Sequence, residues 1–347
     1  MWLKNIQDSL KNKPQDMEVN QFKSFVVEEQ NGAFIGEIKT KNITDLPAGD
    51  LLIKVSYSSL NYKDALSASG NKGVTRNFPH TPGIDAVGVI AKSENDGFSI
   101  GDKVIVTSYD LGMNTAGGFG EYIRVPAEWT VKLPENLSMK EAMIYGTAGL
   151  TAGMSVLRLS ELVKPEDGKI IVSGASGGVG ALSVAILSKL GYTVIAITGK
   201  AHEKDYLMNL GANEIILRSD FENLDKRPML KPICAGGIDT VGGVILENII
   251  KSTTSMGAIT CCGNVASPNL DLTVFPFILR GIALIGIDSQ NYPMSYRRQV
   301  WNKLAKDWKP DQLSATCDEI TLDALPEKIA LMLQGKLKGR TVVKLAD

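Results

Sequence analysis

The chain has 347 residues, 44% of them hydrophobic and 22% charged, and its 37 Lys and Arg balance 38 Asp and Glu to a net charge of -1. That length accommodates two domains with substantial cores, while the even balance excludes the basic field of a nucleic-acid binder and the cationic face of a membrane-surface protein. No apolar run reaches the length of a bilayer span, and the opening residues MWLKNIQDSLKNKPQD lack the apolar core of a signal peptide, so the expected location is the cytoplasm.

Residues 1–21 read as an extension. Trp2, Leu3, Ile6 and Leu10 are spaced for one short amphipathic helix that Lys13-Pro14 would end. From Phe22 the pattern turns β-rich: FKSFVVEEQ, AFIGEIKT, LLIKVSYSSL, GIDAVGVIAKS, KVIVTSY and FGEYIRVPAEWTVKLP are short strands punctuated by Gly and Pro. They predict a separate β domain of partly open barrel character. At Ser138 the pattern changes to a helix, SMKEAMIYGTAGLTAGMSVLRLSELV, which places a domain boundary near Thr147.

The stretch Lys169 to Lys200 organises the second half. Lys169 to Ser173 is a β-branched run that stops at Gly174, and Gly174, Gly177 and Gly180 follow with the spacing G-x-x-G-x-x-G. A dense apolar helix from Val179 to Leu190 ends at Gly191, and a second strand, Thr193 to Thr198, comes at once. Glycines let a backbone approach a pyrophosphate, and the free N–H groups and positive end of the helix stabilise its charge. This is a dinucleotide-binding βαβ unit. An NAD-preferring site puts an acid at the end of the second strand to accept from the ribose. Here Thr198, Gly199 and Lys200 stand there, with no acid before Glu203, which favours NADP; Lys200 also reads simply as an exposed lysine opening a helix.

A helix from His202 to Leu210, the strand NEIILRSD, the turn GIDTVGG, a helix through Ile250, the strand AITCCGN and PFILRGIALIGIDS complete a predicted six-stranded parallel sheet with helices on both faces. From Gln290 the chain is helical and polar, and its final strand, in GRTVVKL, is expected to return to the first domain. The four cysteines, Cys234, Cys261, Cys262 and Cys317, lack ligand spacing, and the adjacent pair in AITCCG reads as small core residues of a buried strand. With only His80 and His202 for imidazole, a metal site or a Ser–His triad has little to build on.

NYKDAL (61–66), RNFPHTPGIDAVGVI (76–90), GTAGLTA (146–152), SGASGGVG (173–180), PFILRGIALIGIDS (276–289) and GRTVVK (339–344) occur in this order. Together they resemble the zinc-independent medium-chain dehydrogenases/reductases, and more narrowly the acrylyl-CoA reductase and quinone oxidoreductase subgroup. The resemblance implies an α/β protein with two parts. One is a GroES-like β-rich catalytic domain, residues 22–147 and 283–347. The other is a doubly wound parallel-sheet Rossmann domain for NADP, residues 148–282. It also implies a cleft between them and a homodimer formed through the Rossmann domains.

Zinc-dependent relatives carry a Cys in the segment matching NYKD, a His-Glu pair where this chain has Ile84-Asp85, and four clustered cysteines before the Rossmann domain. This chain has no cysteine before Cys234, so the soft ligands are missing and no metal is expected. Without a Lewis acid to lower an alcohol's pKa, reduction of an activated C=C is the chemistry that remains. The expected reaction is NADPH-dependent reduction of a short 2-enoyl-CoA, of the acrylyl-CoA to propionyl-CoA type. The alternatives are an NADPH:quinone oxidoreductase and, outside enzymes, an NADPH-binding sensor.

The resemblance puts Ser176, Gly177, Gly178 and Val179 in the pyrophosphate turn, Thr198, Gly199 and Lys200 with Arg218 around the adenosine phosphate, and Asn264 and Ser289 near the nicotinamide. Tyr62 is expected to contact the cofactor and, with Asn61 and Asp64, to line the catalytic cleft; Asn61 and Asp64 read equally as caps of the short helix that follows them. Lys72 and Arg76, on a Gly-containing loop beside this segment, are candidates for the CoA phosphates, as are Arg297 and Arg298 on a later helix. Each of these cations reads as readily as part of a solvated surface.

Overall fold

The computed structural model describes residues 20–345. Residues 1–19 of the expected extension lie outside them, and Gln21 already opens the first strand. The first domain begins with a hairpin of β1 (Gln21–Gln30) and β2 (Ala33–Asn42), turned at Asn31-Gly32, both at positive φ. Next come β3 (Leu51–Leu60), α1 (Tyr62–Ala68), β4 (Asp85–Ser93), β5 (Lys103–Thr107), β6 (Tyr122–Val125) and β7 (Thr130–Lys132). Alternation of Leu51, Ile53 and Val55 in β3 with Val104 and Val106 in β5 supplies one apolar cluster of this domain.

The helix α2 (Met139–Ser160) is started by a reciprocal cap in which the Glu141 amide donates to Ser138 Oγ (3.2 Å) and the Ser138 amide to Glu141 Oε2 (2.9 Å). It is broken once, at Gly146. Beyond it run β8 (Ile170–Val172), α3 (Gly178–Lys189), β9 (Val194–Thr198), α4 (Lys204–Asn209), β10 (Glu214–Leu217) and α5 (Arg218–Glu222). The second half of this unit is β11 (Cys234–Asp239), α6 (Gly243–Lys251), β12 (Thr253–Cys261), α7 (Phe275–Arg280) and β13 (Ala283–Gly286). These six strands are all parallel in the order β10-β9-β8-β11-β12-β13. The order reverses between β8 and β11, so a crevice opens outside the carboxyl ends of those strands.

The chain then returns through α8 (Met294–Leu304), β14 (Cys317–Thr321), α9 (Leu325–Leu333) and β15 (Arg340–Lys344). The strand β15 pairs antiparallel with β3, extending the first domain's sheet to the order β14-β15-β3-β4-β5-β7, with β6 also on β3. The α/β architecture expected from the sequence is present in both parts. One boundary is corrected: Ala283–Gly286 pairs with β12, so the parallel sheet runs past residue 282 and the crossover follows Gly286. This strand is the one expected within PFILRGIALIGIDS to complete the six-stranded sheet.

The two parts share a core. Apolar residues of α2 and α3 pack with Val300, Trp301 and Leu304 of α8 and with Val342 of β15, and the Tyr145 hydroxyl donates to Leu304 O at 3.1 Å. The crevice therefore has a fixed floor.

Candidate active site

At one end of the crevice the glycine turn meets the end of β9. A Cβ at Gly180 would stand 2.3 Å from Gly174 O, so only glycine lets the helix start sit this close to the turn. The first amides of α3, from Gly178 and Val179, belong to the turn that has no intrahelical acceptors, and they lie at the helix's positive end. Ser176 Oγ lies 3.1 Å from Thr198 Oγ1, which accepts from the Lys200 amide at 3.0 Å. The Lys200 ammonium donates to Leu337 O, and burial lowers its pKa against the opposing pull of Glu203. The Arg218 guanidinium packs on Gly199, 3.3 Å from where a Cβ would be, and pairs with Glu222 at 3.5 Å. Ser176, Gly177, Gly178, Val179, Thr198, Gly199, Lys200 and Arg218 thus converge on the carboxyl ends of β8, β9 and β10. The set suits a dinucleotide: open amides for a pyrophosphate, and two cations without a ribose-binding acid between them.

The other end lies past β12 and β13. Asn264 is exposed beyond β12. Ser289 follows β13, and its carbonyl accepts from Arg297 Nη2 at 2.7 Å. Facing them across the crevice is the start of α1. Asp64 Oδ2 accepts from the Asn61 amide at 2.8 Å, so the capping reading of this pair is correct. Asp64 also accepts from the amides of Gly83 (3.1 Å) and Ile84 (2.8 Å) through Oδ1 and is wholly buried. Burial, then the charge of Asp85, push it up to about 7, while the N–H donors pull it down. Tyr62 is exposed, and Lys63 Nζ reaches over to Gln290 Oε1 at 2.8 Å.

Sequence reasoning missed the centre of this wall. The Asp85 carboxylate, fully buried, accepts from Ser59 Oγ (2.6 Å), Asn61 Nδ2 (2.8 Å), the Thr147 amide (2.9 Å) and Thr147 Oγ1 (2.6 Å). Arg340, buried at the start of β15, lies 3.8 Å from it and donates to Ser59 Oγ (2.8 Å), Asn61 Oδ1 (3.1 Å) and Ile144 O (3.0 Å). Gly146 breaks α2 with φ +50, and since a Cβ there would stand 2.4 Å from Asp85 Oδ2, only glycine fits. On its other side Arg340 reaches the cofactor turn, 3.1 Å from where a Cβ of Gly178 would stand. The available signal was a charge inside each of two apolar runs, GIDAVGVI and GRTVVK, the mark of a buried pair.

The other expected cations sit differently. Lys72 pairs with Glu29 at 3.2 Å and lies over the rings of Phe34 and Phe78. Glu28 and Glu29 share the rim of its pocket with Arg76, so Lys72 is already spent and is not a free cation for a CoA diphosphate. Arg297 is buried rather than at a cleft mouth: its guanidinium lies 4.2 Å from the Tyr109 ring centre and holds the carbonyls of Thr107, Ser289, Gln290 and Tyr292.

Among the remaining groups, His80 is buried with Nε2 2.9 Å from Gly112 O, while His202 is exposed. Cys261 and Cys262 are half-buried at the carboxyl end of β12 rather than deep in a strand, and alternation turns them to opposite faces of the sheet. Among the described residues no group of three His, Cys, Asp or Glu side chains is placed to hold a metal ion.

Family models for the alcohol dehydrogenase GroES-like domain and for zinc-binding dehydrogenases match residues 47–135 and 178–306. The Bacillus subtilis protein YhfP, named provisionally as a quinone oxidoreductase, is 44% identical over 89% of this chain and 94% of its own length. The acrylyl-CoA reductase AcuI of Ruegeria pomeroyi is 39% identical over 93% and 98%. Among solved structures, the yhdH oxidoreductase from Salmonella enterica in complex with NADP superposes with a TM-score of 0.91 at 40% identity, over 93% of this chain and all of that one. Bacillus subtilis yhfP with NAD bound gives 0.92 at 42%, over 94% and 99%. Relatives this similar along about nine-tenths of its length make this chain a member of the medium-chain dehydrogenase/reductase superfamily, in the subgroup of acrylyl-CoA reductases and quinone oxidoreductases.

Proposed function

We propose that this protein is an NADPH-dependent reductase that saturates the C=C bond of a short 2-enoyl-CoA without metal. The observation that carries the cofactor half is the cradle of Ser176 to Val179 with Thr198, Gly199, Lys200 and Arg218 around it and no acid at the end of β9. The Salmonella relative with NADP supports the same choice, although yhfP was solved with NAD. When bound, the reduced cofactor supplies a hydride for the β-carbon of the substrate. The chain's own residues hold the thioester over the nicotinamide end, beside Asn264 and Ser289, and offer N–H and O–H donors toward the oxygen on which charge develops. Tyr62, exposed at the crevice, is the proposed contact to the nicotinamide side. Asn61 and Asp64 set its position by capping α1.

Of the two loop cations proposed for the CoA phosphates, Arg76 is retained, since no carboxylate pairs with its guanidinium among the described residues. The division we propose is residues 22–147 with those after Gly286 as the catalytic domain and 148–286 as the cofactor domain. No helix among the described residues is long and apolar enough to cross a membrane, which is consistent with the proposed cytoplasmic location.

A homodimer is proposed through the free edge of β13 and the adjoining α7, where Ile278 and Leu279 are 67% and 61% exposed. Light scattering is expected to give twice the 37.4 kDa chain mass, and Ile278→Glu the mass of one chain; a monomeric parent protein rejects this face as the interface.

The deciding experiment is initial-rate NADPH oxidation with acrylyl-CoA, crotonyl-CoA and 1,4-benzoquinone, each repeated with NADH and after EDTA. The expected result is a catalytic efficiency with acrylyl-CoA of about 10⁴ M⁻¹s⁻¹ or more, above that with the quinone and unchanged by the chelator. Quinone turnover alone would transfer the function to the reading that the YhfP name favours. Tight NADPH binding with no turnover would identify a sensor.

A further inference from the structure

We propose that Lys63 is the proton donor that completes the reduction, delivering its ammonium proton to the α-carbon of the substrate. The inference rests on the enoyl-thioester reading above and deepens it.

Position comes first. The crevice lies outside the carboxyl ends of a sheet whose order reverses between β8 and β11. The phosphate-suited residues crowd the β8–β10 side, so the reacting end of a dinucleotide falls on the β11–β13 side. Gln290 follows β13 on that side. The Lys63 ammonium, on the opposite wall, is bonded to its side chain at 2.8 Å. Lys63 therefore spans the crevice where the chemistry must occur.

Its acceptor is held in place. The backbone of Gln290 is fixed: its N–H donates to Asp288 Oδ1 (2.9 Å), and its main-chain carbonyl accepts from Arg297 Nη2 (2.7 Å) and the Tyr109 amide (3.3 Å). One N–H of the ammonium is spent on Gln290, leaving two for a substrate.

The other titratable groups of this wall are disqualified. Asp64 and Asp85 are fully buried, and their oxygens are occupied by the donors described above. His80 is buried, with Nε2 bonded 2.9 Å from Gly112 O. Tyr62 is exposed, and no hydrogen bond among the described residues fixes its phenol. The groups facing Lys63 are Asp64 on its own helix and Asp288 across the crevice; both favour the charged form, while burial, the larger effect, lowers its pKa below the ordinary lysine value of 10.5. An ammonium whose pKa is lowered in this direction releases its proton more readily.

The step balances. As hydride from NADPH adds to the β-carbon, the C=C electron pair moves toward the thioester; a Cα–H bond then forms as one Nζ–H bond of Lys63 breaks. NADPH is oxidised to NADP⁺, the alkene is reduced, and Lys63 recovers its proton from water.

The test compares the wild-type protein with Lys63→Arg and Lys63→Met, using acrylyl-CoA and NADPH between pH 6 and 10.5. Calorimetry follows the binding of NADPH and of propionyl-CoA, and competitive acetylation of the cofactor-free protein, read by mass spectrometry, titrates Lys63. Expected is a wild-type kcat that falls as pH rises through an apparent pKa below 10.5, with Lys63 labelled along the same curve. Both variants should lose at least about a hundredfold in kcat while both affinities stay within about threefold of wild type. Arginine keeps the charge but cannot release a proton at these pH values, so an arginine variant with more than about a tenth of wild-type kcat overturns the donor role. So does a parallel collapse of both affinities, which would mark Lys63 as a latch across the crevice. A wild-type protein that reduces no enoyl thioester removes the function reading together with the donor, whereas equal turnover by wild type and Lys63→Arg removes the donor alone.

Discussion

Arg340→Met is expected to lower the unfolding free energy by about 3–5 kcal/mol, the cost of leaving a buried charge without its partner. Asp85 is fully buried 3.8 Å away, so its carboxylate would be left without the opposing guanidinium charge. The loss spreads beyond one pair, because Arg340 also donates to Ser59, Asn61 and Ile144 O, tying β3, the start of α1 and the first half of α2 to the last strand. Since the same side chain touches the glycine turn beside Gly178, affinity for NADPH should fall as well. Urea denaturation followed by tryptophan fluorescence checks the first effect. Adding Asp85→Asn to Arg340→Met should recover part of the loss, since neither charge then remains. An unchanged urea midpoint in the single variant would show that the network contributes no stability.

Lys200→Glu is expected to raise the dissociation constant for NADPH by about 10²-fold or more and to leave NADH within about threefold. A charge-assisted hydrogen bond of about 1.5–3 kcal/mol is lost, and an acid is put where a 2′-phosphate would sit, so repulsion adds to the loss. Fluorescence titration with each cofactor reads the difference directly. The substitution gives up the ammonium contact to Leu337 O, but the backbone amide of residue 200 keeps its bond to Thr198 Oγ1, so the position is held locally and the fold should tolerate the change. Equal loss for the two cofactors would remove Lys200 from the phosphate site. Retained NADPH affinity would leave Arg218, whose guanidinium is half-spent on Glu222, as the cation responsible.

The cofactor half of the site was legible in the sequence because it is local. A strand, a turn and a helix that are contiguous in the chain bring Gly174 to Val179 together, and the end of the next strand follows within twenty or so residues. Backbone sterics and helix electrostatics act over that distance without help from the rest of the molecule. The β-rich character of the first domain and the parallel order of the second were likewise readable, since periodicity and turn residues are properties of short segments. The last strand of the parallel sheet, expected within PFILRGIALIGIDS, is Ala283–Gly286.

What only the tertiary structure decided is which distant charges meet. Asp85 and Arg340 are separated by most of the chain and come together because β15 returns to pair with β3; their spacing in sequence carries no trace of it. The same return puts Leu337 on Lys200, and the crossover after β13 puts Gln290 on Lys63. Lys72, by contrast, was unspent in the sequence and is neutralised in the fold by Glu29 of the first hairpin. Composition and periodicity determine which segments bury and in what form. The partner of a long charged side chain is set by the desolvation cost of leaving it unpaired in the packed protein, which exists only once the two domains have closed on their shared core.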